Sequence, residues 1–314
     1  MTRFGLNRLF GAVLVMLGAS LLTFLLMDLA PGDALLAIAK ARFGDTVSLD
    51  QSALDAIRAE AGLDRPFLTR YAAWLINLVQ LDLGNSLIDG RPVLDIIAER
   101  FQRTAELALG AIAVAALLSV PLGLMAGLFH GTWFDSLCVS LATLGSAMPN
   151  YWLGILFILF FSVWLGVLPA FGRGDLDHLV LPALTLGTGV AVTTARLLRS
   201  ATIEAMAASH IDAARGRGLS EARIVGRHAV RNALVPVVTV FALEIAFLLE
   251  GAVAVEYVFG WHGLGLLFVE AVDARDYPVI QAVVLVFAML FVAINLWVDL
   301  LTFWLDPRTR AGAA

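Results

Sequence analysis

Six long apolar runs alternate with polar stretches along the 314 residues of the chain. Each run reaches the roughly 20 residues that a helix needs to cross the hydrocarbon core of a membrane. They occupy residues 9–29, 104–128, 134–168, 179–199, 234–256 and 279–304. The third run is long enough for one long helix or two short ones. Pro149 within it predicts either a kink or a separate short helix.

The longest polar stretch, residues 30–103, holds ten acidic against eight basic residues. Helical patterns cover residues 50–62, 67–81 and 93–101, with a turn-rich stretch at 82–92. Such a series of short helices and turns predicts that this stretch forms a small folded layer outside the membrane and is not a disordered linker.

A second polar stretch, residues 196–236, is the arginine-rich segment, with seven arginines against three acids. Its first half has apolar residues at helical spacing, namely Ile203, Ala207, Ile211 and Ala214. Gly216 and Gly218 are predicted to end this helix, and Ser220 to cap a second one. The second helix carries a basic stripe, formed by Arg223, Arg227 and Arg231. The pattern predicts two short amphipathic helices joined by a glycine turn, a shape that a partner protein could bind.

Composition supports interpreting the apolar runs as membrane spans. The chain is 60% hydrophobic and 15% charged, whereas soluble domains average about a quarter charged residues. The alternative for the first run is a secretory signal peptide. That run, however, is about twice as long as a typical apolar region of roughly 7–15 residues in such a peptide. A retained first helix with a cytoplasmic N-terminus is therefore predicted.

The distribution of arginine predicts the topology. If residues 134–168 cross the membrane once, the arginine-rich segment and the basic C-terminal stretch 306–310 lie on the same side as Arg3 and Arg8. If residues 134–168 cross twice, the arginine-rich segment lies outside, against the positive-inside rule. Six transmembrane helices with both termini in the cytoplasm are therefore predicted, and residues 30–103 and 257–278 are then external.

Other functional classes lack their characteristic motifs in this sequence. No Walker A pattern occurs, so ATP hydrolysis by this chain is not expected. The five histidines show no metal-ligand spacing, and the single cysteine, Cys138, excludes an internal disulfide. The sequence therefore predicts no enzyme activity, no metal site and no cofactor bound by this chain. An ATP-independent channel, a secondary transporter or a membrane anchor for a larger complex stays open as an alternative.

Several motifs resemble a known family of transport proteins. Asp212, Ala213, Ala214 and Gly218 resemble the EAA loop of bacterial ABC importer permeases, with Asp in place of the usual Glu. The continuation from Gly218 to Pro236 resembles the peptide/nickel branch. Further matching pieces lie along nearly the whole chain, at residues 62–66, 82–86, 148–154, 275–281, 299–301 and 305–308. The chain thus resembles a binding-protein-dependent permease of the dipeptide/oligopeptide/nickel family.

This resemblance implies an all-α membrane protein with the six-helix fold of type I ABC importer permeases. The implied organisation is a first transmembrane helix at 1–29, an external helical insert at 30–103 and a permease core at 104–314, with a cytoplasmic coupling loop at 200–233. It also implies several partners: a homologous second permease, two cytoplasmic ATPase subunits that bind ATP and magnesium, and an external solute-binding protein. The implied coupling residues are Asp212, Ala213, Ala214, Arg215, Arg217, Gly218, Glu221, Arg223 and Arg227.

Two further sets of residues are candidates for contact with the cargo or the binding protein. Acids at membrane depth are costly unless they face water or a partner. Glu244 and Glu250, with Asn295 of the last run, are therefore candidates for the translocation pathway, and the two acids favour a cationic cargo. The candidates for an external gate or docking surface are Trp261, Gly263, Gly265, Arg275, Asp276 and Tyr277. The resemblance implies peptides as cargo, with nickel or a chelated metal as the alternative.

Overall fold

The computed structural model describes residues 2–44, 51–172 and 174–305. Their regular structure is helical, apart from one isolated β-bridge between Asn85 and Pro92. In chain order the helices are α1 (Thr2–Leu29), α2 (Ala34–Phe43), α3 (Gln51–Glu60), α4 (Phe67–Val79), α5 (Val93–Leu128), α6 (Trp133–Ala147), α7 (Asn150–Phe157), α8 (Leu176–Met206), α9 (Ser209–Gly216), α10 (Glu221–Ile224), α11 (Val230–Phe259), α12 (Leu264–Ala274) and α13 (Tyr277–Leu305). Two π-helical stretches, Ile158–Trp164 and Val225–Ala229, follow α7 and α10.

All six apolar runs lie in helices. Among the described residues, five helices are long and apolar enough to cross a membrane, namely Phe10–Leu29, Val93–Leu128, Leu176–Met206, Glu221–Phe259 and Tyr277–Leu301. The third run forms the pair Trp133–Ala147 and Asn150–Trp164, which would be a sixth span if the pair crosses as one. The basic stretch 306–310, on which the topology prediction partly depends, lies outside the described residues.

The third run breaks at Pro149, as its sequence predicts. The two helices of the pair meet at 111°, which is far sharper than a proline kink within one helix. Met148 has an extended backbone, with ψ 131°, because a proline disfavours the helical conformation in the residue before it. Asn150 then begins α7.

Three helix boundaries differ from the predictions. The helical pattern at 93–101 and the apolar run at 104–128 form the single helix α5 of 36 residues, since neither glycine nor proline separates them. The second helix of the arginine-rich segment is likewise continuous with α11. Helix α2 was not predicted. The Asp33 carboxylate caps it by accepting hydrogen bonds from the amides of Leu35 and Leu36.

The chain divides into two compact units. Unit 1 comprises residues 1–104 and 262–293, and unit 2 comprises residues 105–261 and 294–314. In unit 1, one apolar core joins the start of α5 to α12 and the start of α13. A second core joins α2 to α3, with Leu87. The aromatic ring of Phe24 on α1 packs edge-on against Tyr71 and Trp74 of α4.

In unit 2, helices α5 and α8 pack unusually closely through glycine. A Cβ atom added at Gly187 of α8 would lie 2.5 Å from the Ala111 carbonyl oxygen of α5. One added at Gly127 of α5 would lie 2.6 Å from the Thr202 Cβ. Small residues that let helix backbones approach are typical of helix pairs in membranes, where packing rather than hydrophobic burial drives association.

Candidate functional site

The arginine-rich segment folds into a compact turn, residues 207–224, which we term the elbow. Helix α8 ends at Met206, Ala208 adopts an extended backbone, and α9 starts at Ser209. Gly218 then has φ +78°, a left-handed conformation that favours glycine, and α10 starts at Glu221. The predicted glycine turn is confirmed, and the backbone of the elbow reverses at that point because glycine lacks a Cβ atom.

The elbow has a small hydrophobic core of its own. Ile211 and Ala214 of α9 pack against Ile224 of α10, and each of the three side chains is at most 1% exposed. Leu219 covers this core from the turn. An eighteen-residue surface turn would ordinarily be mobile, but burial of these side chains gives the elbow a defined shape.

Polar contacts connect the same two helices at the surface. The Arg215 guanidinium donates to the Glu221 carboxylate at 2.8 Å and lies 3.4 Å from the Asp212 carboxylate. The hydrogen bond to Glu221 raises the pKa of Arg215 above its ordinary value. Since these side chains are exposed, solvent screens the ion pairs and they contribute little to stability. Their carboxylates and guanidiniums remain accessible to a partner.

The remaining predicted coupling residues are divided between the surface and the core of the elbow. Ala214 is buried in the core. Ala213, Arg217, Gly218 and Arg223 are exposed on the elbow, and Arg227 is exposed on the π-helical stretch that follows it. The elbow therefore presents a basic surface held by an apolar core.

Two local predictions about this segment were wrong. The pattern from Ile203 to Ala214 predicted one helix, but α8 ends at Met206 and the backbone is extended at Ala208. Ser220 occupies the cap position of α10, yet its side chain forms no capping hydrogen bond. Tertiary packing overrides the local sequence pattern here. Helix α9 turns away from α8, and this direction allows Ile211 to be buried against Ile224.

An ion pair near the end of α8 was not predicted. The Asp135 carboxylate is 5% exposed and accepts two hydrogen bonds from Arg199, at 2.5 Å to Nε and 2.8 Å to Nη2. His130 Nδ1 lies 3.1 Å from the same carboxylate, and the Gly131 amide donates to it. The sequence contained one local signal for this cluster, a threonine three residues before an acid. The Thr132 hydroxyl accepts a hydrogen bond from the Asp135 amide, as the side chain of a helix N-cap does. The contact with Arg199, 64 residues away, had no signal in the sequence.

The three candidate pathway residues lie in different surroundings within unit 2. Glu244 is half-buried and lines a small cavity with Asn150. Glu250 is exposed on the same helix, α11, and does not line that cavity. Asn295 is half-buried on α13. The cavity thus distinguishes Glu244 from the other two candidates.

The candidate gate residues are largely buried. Trp261 is 3% exposed and belongs to the main core of unit 2. In unit 1, Gly263 and Gly265 are buried, and Tyr277 packs against both cores. Arg275 adopts a left-handed backbone, with φ 56°, and donates a hydrogen bond to the Pro31 carbonyl.

Asp276 connects the start of α13 to the turn-rich stretch in unit 1. Its carboxylate is nearly inaccessible and accepts hydrogen bonds from the Ser86 hydroxyl at 2.5 Å and from the Leu87 amide at 3.1 Å. Burial raises the pKa of Asp276 above its ordinary value, although these hydrogen bonds act in the opposite direction. The contact explains how two stretches 189 residues apart come together.

We expect Asp276→Ala to destabilise unit 1. The change leaves the Ser86 hydroxyl and the Leu87 amide without their acceptor, and an unsatisfied buried donor costs about 1–3 kcal/mol. The melting temperature of the detergent-solubilised protein should fall by several degrees, since 1 kcal/mol corresponds to roughly 2–4 °C for a protein of this size. Asp273→Ala, a change at an exposed position of α12, is the matched control and should leave it nearly unchanged. Equal melting temperatures for the two variants would contradict the structural role of Asp276.

The raised pKa also predicts a pH dependence. A carboxyl group whose pKa is higher in the folded state stabilises that state when protonated, and this contribution is lost as pH rises through the folded-state pKa. Lowering the pH from 7 toward 4 should therefore stabilise the wild-type protein more than Asp276→Asn, which carries no titratable group there. Melting curves of both proteins across this range measure the difference, and parallel curves would contradict it.

Comparison with known proteins places the whole chain in one family. Residues 119–311 match the family described as binding-protein-dependent transport system inner membrane component, and residues 1–108 match its N-terminal region. The chain is 38% identical to the glutathione transport system permease protein GsiC of Escherichia coli O6:H1 over 310 residues, covering 99% of both chains. It is 39% identical to the protein of the same name from Salmonella paratyphi A, with the same coverage.

Solved structures show the same fold at lower sequence identity. The MetNI methionine ABC transporter in an inward-facing conformation aligns with a TM-score of 0.58 and 17% identity, covering 68% of this chain and 98% of that chain. An amino acid ABC transporter crystallised with histidines aligns with a TM-score of 0.53 and 14% identity, covering 67% and 94%. The predicted fold of type I ABC importer permeases is thus confirmed.

Proposed function

The chain belongs to the family of binding-protein-dependent transport system inner membrane components, and we propose that it is the permease subunit that carries di- or oligopeptides across the membrane in an ATP-driven importer. The full-length match to peptide-family permeases carries this proposal. Family membership makes the chain a multi-pass inner membrane component of a bacterial transport system. It further implies ATPase and solute-binding partners.

The elbow is the proposed coupling element. Its accessible carboxylates and guanidiniums supply charged contacts for an ATPase subunit, and its apolar core supports them. A preformed lever transmits movement better than a flexible loop, because a flexible loop would absorb the displacement in its own torsions. In this proposal the elbow and both chain termini lie in the cytoplasm, and ATP and magnesium bind to the partner subunits.

Similarity to the permeases named for glutathione supports a peptide cargo over nickel. Glutathione is itself a small peptide, and the similarity extends over 99% of the chain. Nickel or a chelated metal is the alternative within the family. An ATP-independent channel or a secondary transporter would use neither the elbow nor a binding protein. The external partner is proposed to dock on the insert at 30–103 and the loop at 257–278, and a homologous permease is proposed to complete the pathway.

The cargo proposal predicts the response of ATP hydrolysis in the reconstituted complex. With the solute-binding protein present, di- and tripeptides should stimulate ATPase activity several-fold, whereas nickel–chelator complexes should not. Stimulation by the nickel complexes alone would favour the alternative, and stimulation by neither would reject both cargoes. Peptide uptake that proceeds without ATP would instead indicate a channel or secondary transporter.

A further inference from the structure

A small cavity of about 80 Å³ lies in unit 2 beside the sharp break between α6 and α7. Asn150, the first residue of α7, and Glu244 of α11 are the two polar residues that line it. The other lining residues have no polar side-chain atoms: Leu186, Gly189, Val190, Phe247 and Leu248. One acidic and one amide residue therefore share an otherwise apolar lining.

The position of the Asn150 amide depends on two glycines of neighbouring helices. A Cβ atom at Gly189 of α8 would lie 3.1 Å from Asn150 Oδ1, and one at Gly251 of α11 would lie 2.9 Å from Nδ2. Any side chain at either position would compete with the amide for space. Helices α8 and α11 thus leave room for this amide, which is held in place by packing beside the cavity.

Glu244 lies near the middle of the apolar helix α11, which runs from Val230 to Phe259. At such a depth a carboxylate is costly unless a cation, a donor or water faces it. None of the cavity-lining residues is basic. A cationic group arriving from outside the chain would satisfy this carboxylate.

The size of the cavity and the acceptors in its wall define what fits. About 10–15 Å³ of such volume holds one water molecule, so a cavity of about 80 Å³ has room for a small headgroup. The acceptors are the Glu244 carboxylate and the Asn150 carbonyl oxygen, which suit a group with several N–H donors and a positive charge. A primary ammonium group, with three donors on one nitrogen, matches both size and charge.

We propose that the cavity at Glu244 and Asn150 binds the primary ammonium group of a peptide cargo during its passage. This inference depends on the proposed peptide transport and adds the chemical group that the pathway recognises. The ammonium group could belong to the peptide N-terminus or to a lysine side chain, and both have the chemistry that the cavity recognises.

Glu250 provides a comparison on the same helix. It follows Glu244 by six residues, which corresponds to a rotation of about 240° around the helix axis, so the two carboxylates point to different sides. Glu244→Gln removes the charge from the cavity, whereas Glu250→Gln removes the same charge from a face outside it. Comparing the two variants separates recognition in the cavity from a general effect of acidic charge on α11.

The experiment measures ATP-driven uptake into vesicles that contain the complete reconstituted transporter. Three probes are compared: a tripeptide with a free N-terminus, its N-acetylated form, and an N-acetylated tripeptide that carries one lysine. Glu244→Gln should lower the uptake efficiency, kcat/KM, of the free tripeptide by about tenfold, the size expected for loss of one charge-assisted hydrogen bond. Uptake of the acetylated form without lysine should stay unchanged. Glu250→Gln should alter both probes by the same factor.

A second variant moves the charge from Glu244 to Asn150, another residue that lines the cavity. Asn150→Asp in the Glu244→Gln background restores one carboxylate to the cavity with almost the same side-chain volume, and it should recover selectivity for the free tripeptide. The lysine probe distinguishes the sources: its sensitivity to Glu244→Gln shows that a side-chain ammonium also binds, and its insensitivity assigns the site to the N-terminus.

Three results would overturn the inference. Equal losses for free and acetylated tripeptides in Glu244→Gln would show that the cavity does not recognise the ammonium group, and no loss for either would show that the carboxylate is not used. Failure of Asn150→Asp to restore selectivity would remove the cavity as the site of the effect. If the wild-type transporter takes up none of the three probes, the peptide proposal fails as well, and this result is distinct from the first two.

Discussion

Gly218→Pro is expected to abolish ATP-driven uptake while the protein still inserts into the membrane. The native backbone at this position has φ +78°, whereas proline fixes φ at about −65°. Proline also removes the Gly218 amide, which donates to the Arg215 carbonyl at 2.9 Å. The turn would therefore point α10 in another direction and separate Ile224 from Ile211 and Ala214.

The size of this effect follows from the strain. A misplaced proline costs about 3 kcal/mol or more, which lowers the equilibrium constant for forming the native elbow by about a hundredfold or more. Uptake should fall by about a hundredfold, and the loaded binding protein should no longer stimulate ATP hydrolysis. Because α8 and α11 keep their apolar faces, the amount of protein in the membrane should change little.

A nearby glycine offers the control for this prediction. Gly216 is helical, and a Cβ atom added there would meet nothing within 4 Å. Gly216→Ala should therefore retain uptake within about twofold, since it preserves the turn and improves helix propensity. Wild-type uptake in Gly218→Pro would refute the assignment of the elbow as the coupling element, and loss of uptake in Gly216→Ala would show that the segment is sensitive to any substitution.

Arg199→Ala is expected to give the largest loss of stability among single charge changes in unit 2. The change leaves the Asp135 carboxylate, 5% exposed, without the guanidinium that donates two hydrogen bonds to it. Removal of one partner from a fully buried ion pair costs about 3–5 kcal/mol, and because the Arg199 side chain is 23% exposed we expect a smaller loss, about 1–3 kcal/mol. The effect should appear as a lower melting temperature and a lower yield of folded protein after detergent extraction.

The double variant Arg199→Ala with Asp135→Ala tests the cause. Because it removes the unpaired charge together with its partner, it should be more stable than Arg199→Ala alone, although a cavity remains. Arg196→Ala, on an exposed part of the same helix, should change stability by at most about 0.5 kcal/mol. A double variant that is less stable than the single one by the full cost of the Asp135 change would show that the two residues act independently.

Features that depend on neighbouring residues could be predicted from the sequence. The six apolar runs are helical because backbone groups in hydrocarbon must pair within their own segment. The break at Pro149 and the turn at Gly218 follow from the backbone restrictions of those two residue types. The proposal of candidate coupling residues used the same kind of local information, the spacing from Asp212 to Gly218.

Features that depend on distant residues could not be predicted. The contact between Asp135 and Arg199 joins two helices, and the carboxylate of Asp276 meets Ser86 across 190 residues. The space that holds the Asn150 amide depends on glycines of two other helices, at positions 189 and 251. The sequence shows that these residues are polar or small, but their partners depend on how the helices pack.

Continuity between the elbow and α11 has a mechanical consequence. From Glu221 to Phe259 the chain is helical without interruption, passing through the π-helical stretch at Val225–Ala229. Glu244 lies on this same rod, roughly 35 Å along its axis from Glu221 at 1.5 Å per residue. Movement of the elbow would therefore reach Glu244 through the backbone of one helical segment, and Pro236 and the π-helical stretch are the points at which that segment can bend.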